Sequence, residues 1–248
     1  MAASILSRRL LLAFCTTCLM AAPAFAETVR GNGVIKSQAR DVSGFTGVGL
    51  GIAGKVDVKL GPTDSVTVEA DENLLPLIET SVRNGMLEIK AARHNLNLES
   101  RSVHVIVQAK AIDDLAIGGS GTITAEPLRT SKMKLEIGGS GSIDVKRLDA
   151  DKVEIEIGGS GKVSIAGAAK SVDASIGGSG DVIAPNFVVD SAEVTVAGSG
   201  DAKLAVRSKL DVTIAGVGAI GYYGDPQVSR TIVGSGSIRR LGGLPQQP

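Results

Sequence analysis

The sequence predicts an all-β protein built as a solenoid of stacked coils, each about 20 residues long. Three observations carry this expectation. A glycine-rich turn recurs seven times, with its second small residue at Gly119, Gly139, Gly159, Gly178, Gly198, Gly216 and Gly234, in steps of 20, 20, 19, 20, 18 and 18. The segments between the turns alternate apolar and polar residues with the period of a half-buried strand. Aromatic residues make up only 2% of the chain and there is no Trp, so the core must be Val, Ile, Leu and Ala, which suits narrow regular layers.

Residues 1–26 read as a signal peptide. Arg8 and Arg9 give a basic start, and Leu10 to Ala22 is an apolar run short for a bilayer span. Ala24-Phe25-Ala26 is a small-x-small cleavage site, so cleavage after Ala26 is expected to leave a chain beginning at Glu27. The alternatives are an uncleaved anchor and a lipoprotein. Phe14 and Thr17 precede Cys15 and Cys18, where lipid attachment calls for a small residue. Both cysteines leave with the signal, so neither a disulfide nor a thiolate site is expected afterwards.

Residues 27–113 are expected to form a β-rich cap and the first part of the solenoid. Val56, Val58 and Leu60 alternate with polar residues, as do Val66, Val68 and Ala70, with Gly61-Pro62-Thr63-Asp64 as the turn between them. Asp71 to Ile78 reads as one or two helical turns, with Asp71 as N-cap and Pro76 limiting the length. Asn84-Gly85 is the strongest hairpin signal in the chain. Arg93 to Arg101 is polar and reads as an exposed loop, after which Val103, Val105 and Val107 resume the strand pattern.

Residues 114–240 hold the repeats. In one unit Met133, Leu135 and Ile137 alternate with lysines and Glu136, Gly138 to Gly141 break the strand, and Ile143 and Val145 begin a second one. In a hairpin array alternate turns would lie at opposite ends. In a solenoid equivalent turns stack and share one environment, which the near-identity of the seven turns favours. Backbones that meet about every 4.8 Å at a corner select residues without Cβ and with access to positive φ. One coil cannot pay for its own ordering, so neighbours must cover its apolar faces and supply ladder hydrogen bonds. Residues 241–248 form a Gly/Pro/Gln tail expected to be flexible.

The composition narrows the chemistry. Without Arg8 and Arg9 the chain carries 24 basic and 26 acidic residues with no basic stripe, so no nucleic-acid partner is expected. No second apolar run is long enough for a transmembrane segment. The Gly-Ser-Gly turns lead into strands and not helices, which argues against phosphate loops. A calcium β-roll has a nine-residue period and an Asp in most turns, whereas only Asp181 and Asp201 follow a turn here. The turn serines Ser120, Ser140, Ser160, Ser179, Ser199 and Ser235 form a ladder whose hydroxyls are expected to satisfy turn amides or neighbouring carbonyls. The histidines are His94 and His104, and His104 reads as a solvated residue opposite the Val103/Val105 face. The outward acids Asp144, Glu154, Glu156 and Asp173 are interleaved with lysines, as on a solvated sheet face. Tyr222-Tyr223 reads as a cap plug. No catalytic, cofactor-binding or metal-binding residue is therefore assigned, and no cofactor is expected.

Several blocks in a fixed order resemble a known family. They are Val29-Arg30-Gly31-Asn32-Gly33-Val34, Phe45-Thr46-Gly47-Val48, Val66 to Leu75, Asn84-Gly85-Met86-Leu87-Glu88-Ile89, and the Gly-Ser-Gly turns. Together they are similar to the putative auto-transporter adhesin head GIN domain of exported bacterial proteins, over residues 30–240. The resemblance implies a right-handed β-helix-like fold and no catalytic residues. The functional expectation is an exported, non-catalytic binding or scaffolding module of the cell envelope, adhesin-like, in the periplasm or at the surface. Its partner would be an envelope or surface protein or a glycan. The alternative is a polysaccharide-active β-helix enzyme.

Overall fold

The structure is a computed structural model describing residues 27–93, 95–100 and 103–246. The expected signal peptide, its cleavage point at Ala26, and His94 lie outside the described residues. The described chain is almost entirely β, and its one helical element is a 3-10 turn at Leu75–Leu77. The cap region holds β1 (Glu27–Arg30), β2 (Ile35–Arg40), β3 (Gly47–Leu50), β4 (Lys55–Leu60), β5 (Ser65–Asp71), β6 (Ile78–Arg83), β7 (Met86–Ala91), β8 (Leu96–Glu99) and β9 (His104–Ala109). The repeats give β10 (Asp114–Ile117), β11 (Thr122–Ala125), β12 (Leu128–Ile137), β13 (Ser142–Ile157), β14 (Lys162–Ile176), β15 (Asp181–Gly198), β16 (Asp201–Gly216), β17 (Ala219–Tyr223), β18 (Gln227–Gly234) and β19 (Ser237–Gly242). The last strand includes Leu241 and Gly242, the first residues of the Gly/Pro/Gln segment.

Each long strand runs through a corner and serves two coils. The first half of β13 stacks on β11 and its second half on β12, both parallel and in register. Val153, Ile155 and Ile157 therefore lie above Met133, Leu135 and Ile137, and all six are buried. The pattern repeats through β14, β15 and β16, so the aliphatic positions form continuous columns inside the stack. Covering each coil with the next removes apolar surface from water and pairs both strand edges.

The order of coils in space differs from their order in the chain. Strands β3 and β4 lie between β7 and β9 on one side and β10 and β11 on the other, all parallel. The chain thus builds an inner coil first, leaves it to make the end of the stack, and returns. The end coil is covered by antiparallel strands: β6 on β7, β5 on β9, and β2 on β5. This cap hides edges that would otherwise present free amides and carbonyls. Strand β9 inserts between β4 and β5, so the Gly61–Asp64 turn does not close a hairpin. Asn84 and Gly85, at φ 51° and 80°, do close one between β6 and β7.

Two sequence expectations are corrected here. Asp71 caps no helix; it ends β5, and its buried carboxylate accepts hydrogen bonds from the Gly33 amide and the Ser100 hydroxyl, both at 2.6 Å. The residue at the cap position of the 3-10 turn is Leu74. The segment from Arg93 to Arg101 is not all loop, because β8 pairs in parallel with β1. Its alternating Leu96 and Leu98 are buried, a two-residue signal too short to stand out among polar neighbours.

Candidate functional site

The turn glycines stack in one column. Gly138 N donates to Ile117 O, Ser140 N to Gly119 O and Ser142 N to Gly121 O, at 2.8, 3.1 and 3.0 Å, and the next turn repeats the three bonds. A Cβ on Gly139, Gly159, Gly178, Gly198, Gly216 or Gly234 would sit 2.2, 2.1, 2.3, 2.2, 2.0 or 2.3 Å from the carbonyl oxygen of the turn beneath. Gly119 lies above the different turn at Gly51 and would keep 3.3 Å. The first four glycines do not have positive φ, whereas Gly198, Gly216 and Gly234 do, at 154°, 147° and 122°. Close backbone approach, and not handedness, is therefore the requirement common to the stacked turns. The serine hydroxyls also differ from expectation. From Ser140 onward the serine amide makes the inter-coil bond, while the hydroxyls are exposed and make no hydrogen bond among the described residues. Val217 replaces serine at one turn and keeps the same amide bond to Gly198 O.

Beside this column the outward side chains of the strands before each turn fall into rows. In register, Glu154, Asp173, Glu193 and Asp211 stack directly above one another. The neighbouring row runs Glu156, Ser175, Thr195, Thr213 and Thr231. Four consecutive acids at one position repel, because in-register neighbours on a sheet lie about 5 Å apart. The ends of the row are neutralised: Lys152 and Lys132 reach Glu154 at 2.8 and 2.9 Å, and Lys209 reaches Asp211 at 2.6 Å. Hydrogen bonds from Lys152 and then Lys132 pull the Glu154 carboxyl down to about 2. Asp173 and Glu193, in the middle, make no ion pair among the described residues. A hollow of about 570 Å³ opens on this face between Glu154 and Glu156 on one coil and Asp173 and Ser175 on the next, bordered by Gly158 and Gly177.

Glu154, Glu156 and Asp173 are outward, as their strand alternation predicts, but the rows they belong to are not apparent strand by strand. Their signal was present: each acid from Glu154 to Asp211 lies five residues before the second small residue of its turn, and each hydroxyl residue from Ser175 to Thr231 lies three before. Asp144 belongs elsewhere, stacked between Thr124 and Ser164 on the strand after the turn. At the end of the face, Asp114 has a buried Oδ1 without a hydrogen-bond partner; burial, and then the Glu136 carboxylate, push its carboxyl up to about 6.

His104 is not freely solvated: its Nε2 lies 2.7 Å from Asp57 Oδ2 and its Nδ1 3.4 Å from Glu69 Oε2, linking an inner coil to the cap. Asp201 accepts the Ala219 amide at 2.8 Å. Tyr222 packs against the core near the C-terminal end of the stack. A second hollow, about 590 Å³, lies at the opposite corner where the step of 19 removes one residue; Gly167 sits at its floor, with Arg147 and Asn186 on its walls. Among the described residues no group of three His, Cys, Asp or Glu is arranged to hold a metal ion, and no helix is long and apolar enough to cross a membrane.

The fold has solved counterparts. A Bacteroides fragilis NCTC 9343 protein named as a putative adhesin matches with TM-score 0.80 and 20% identity, over 86% of this chain and 100% of its own. A Parabacteroides distasonis ATCC 8503 protein named as a putative lipid binding protein matches with TM-score 0.73 and 24% identity, over 87% and 100%. A Parabacteroides merdae ATCC 43184 putative adhesin gives 0.68 and 23%, again over 87% and 100%. At these identities the likeness shows a shared fold. No curated protein matches the chain. The family model described as putative auto-transporter adhesin, head GIN domain, matches residues 44–226, and the chain belongs to that family.

Proposed function

We propose that this chain is an exported, non-catalytic binding or scaffolding module of the bacterial cell envelope, adhesin-like in mode, which contacts a glycan or another envelope protein along one long face. The observation that carries the reading is the in-register display of Glu154, Asp173, Glu193 and Asp211 beside Ser175, Thr195, Thr213 and Thr231. A stack that repeats one side chain at each coil offers a partner the same contact many times. Weak contacts to a repetitive partner then add through effective concentration. The unpaired acids Asp173 and Glu193 make a basic or hydroxyl-rich partner the best electrostatic match. Family membership supports binding over catalysis, and the basic start, apolar run and Ala24-Phe25-Ala26 support export with cleavage after Ala26.

The test has two arms. Cell fractionation with protease shaving locates the chain in the periplasm or at the surface; retention in the cytoplasm would refute export. Purified protein is then screened for binding and for turnover against glycans and envelope proteins. Binding that Glu193→Lys weakens at least tenfold, without turnover, is the expected result. Turnover lost on replacing one outward acid would establish the enzyme alternative.

A further inference from the structure

The two ends of the stack are built differently. The N-terminal end is covered by β2, β5 and β6. At the C-terminal end β18 pairs with β16 and β19 with β17, and neither has a further partner among the described residues. The inward columns are correspondingly uncovered: Ile232 is 37% exposed, while Ile214 beneath it is 0% exposed. Such an end is a template for adding strands from another chain.

The side chains on this end oppose that outcome. The inward column Leu115, Leu135, Ile155, Ala174, Val194 and Val212 is buried throughout, and its next member is Arg230. A second inward column runs Ala184, Leu204 and Tyr222 and ends in Arg240. Arg240 donates to Gly224 O at 2.6 Å and lies 3.8 Å from Asp225, whereas Arg230 makes no ion pair among the described residues. The earlier members of both columns are aliphatic, alanine or tyrosine side chains, and the last described coil places a charge in each.

We infer that Arg230 and Arg240 are stop residues that keep the C-terminal end of the stack from joining the same end of a second copy. The N-terminal end closes with the antiparallel strands β2 and β6 and does not present the parallel coil that the C-terminal end continues, so the matched contact to be prevented is two-fold, C-terminal end to C-terminal end, and closed at a dimer. Such a contact would bring like arginines together and bury them without counter-charges, which ion desolvation disfavours. Replacing the arginines with aliphatics would leave matched open edges and an apolar cross-section on both partners.

The experiment measures molar mass by light scattering over a range of concentrations for wild type, Arg230→Val, the pair Arg230→Val with Arg240→Leu, and Arg230→Lys. Wild type and Arg230→Lys are expected to be monomers. The double variant is expected to double in mass, and adding Ile232→Lys on the end face is expected to return it to monomer. Arg230→Val alone leaves the Arg240 contact to Gly224 in place and is expected to dimerise more weakly. Monomers throughout would overturn the inference. So would a wild-type dimer that Ile232→Lys dissociates, or a variant association that Ile232→Lys leaves intact.

Discussion

Adding one methyl group at Gly159 is predicted to break the stack locally, while the same change at its neighbour Gly158 is not. The Cβ of Gly159→Ala would stand 2.1 Å from Gly139 O and 2.9 Å from Gly139 C, both backbone atoms of the coil beneath. Relief requires the two turns to separate by more than about 1 Å, since ordinary Cβ contacts begin at 3.4 Å. That separation stretches the bonds Gly158 N to Ile137 O, Ser160 N to Gly139 O and Lys162 N to Gly141 O, now 2.8, 3.1 and 3.0 Å. Loss of one or two of them at about 1 kcal/mol each, with about 1–3 kcal/mol for overpacking, gives a destabilisation of about 2–5 kcal/mol. For a chain of this size each kcal/mol moves Tm by about 2–4 °C. Gly158→Ala places its Cβ 4.0 Å from the nearest atom, Ile137 O, and is predicted to change stability by less than about 0.5 kcal/mol. The assay is paired thermal and urea unfolding of both variants. Equal midpoints for the two would refute the reasoning, because sequence context and composition are shared and only the inter-coil approach differs.

Other predictions follow from the same geometry. Ser160→Ala should leave urea midpoints within about 0.5 kcal/mol of wild type, since the exposed hydroxyl bonds to no described residue. Asp114→Asn should stabilise. A carboxyl raised to about 6 from 3.8 binds its proton more readily folded than unfolded, so its penalty is absent below pH 4, grows between pH 4 and 6, and is full above. The shift alone corresponds to about 3 kcal/mol, which solvent screening of this half-exposed group reduces to about 1 kcal/mol. Urea unfolding at pH 4 and pH 8 should show the gain only at the higher pH. Glu193→Lys should stabilise by about 0.2–1 kcal/mol through relief of like-charge stacking with Asp173 and Asp211, and the gain should shrink in high salt. Asp71→Ala should speed hydrogen exchange at the Gly33 amide, which its carboxylate holds at 2.6 Å, more than at amides of β13.

The repeat region was legible because each of its rules is local. The turn glycines set the period, the aliphatic alternation set the inward face, and Asn84-Gly85 set a hairpin. The order of coils was not, because β3 and β4 meet β7, β9, β10 and β11 through parallel ladders between distant segments, which leave no local signature. The role of Asp71 was hidden for the same reason, since Gly33 and Ser100 come from elsewhere in the chain. The turn glycines were recognised, but the geometry that selects most of them is contact with the coil beneath and not φ. The acid and hydroxyl rows needed the repeats to be aligned on their turns; read strand by strand, Glu154 and Asp173 look like any charges on a solvated face. The arginines at the last coil carry meaning only against the columns they terminate.

Affinity as a function of partner length tests the binding proposal most directly. The tightest glycan or peptide partner found by screening is divided into fragments of increasing length and titrated against wild type and Glu193→Lys. A row of repeated contacts predicts affinity that climbs with fragment length, levels off once the fragment spans the row, and drops at least tenfold in the variant. Affinity already complete in the shortest fragment and indifferent to Glu193 would contradict binding along the stack and point instead to a single pocket.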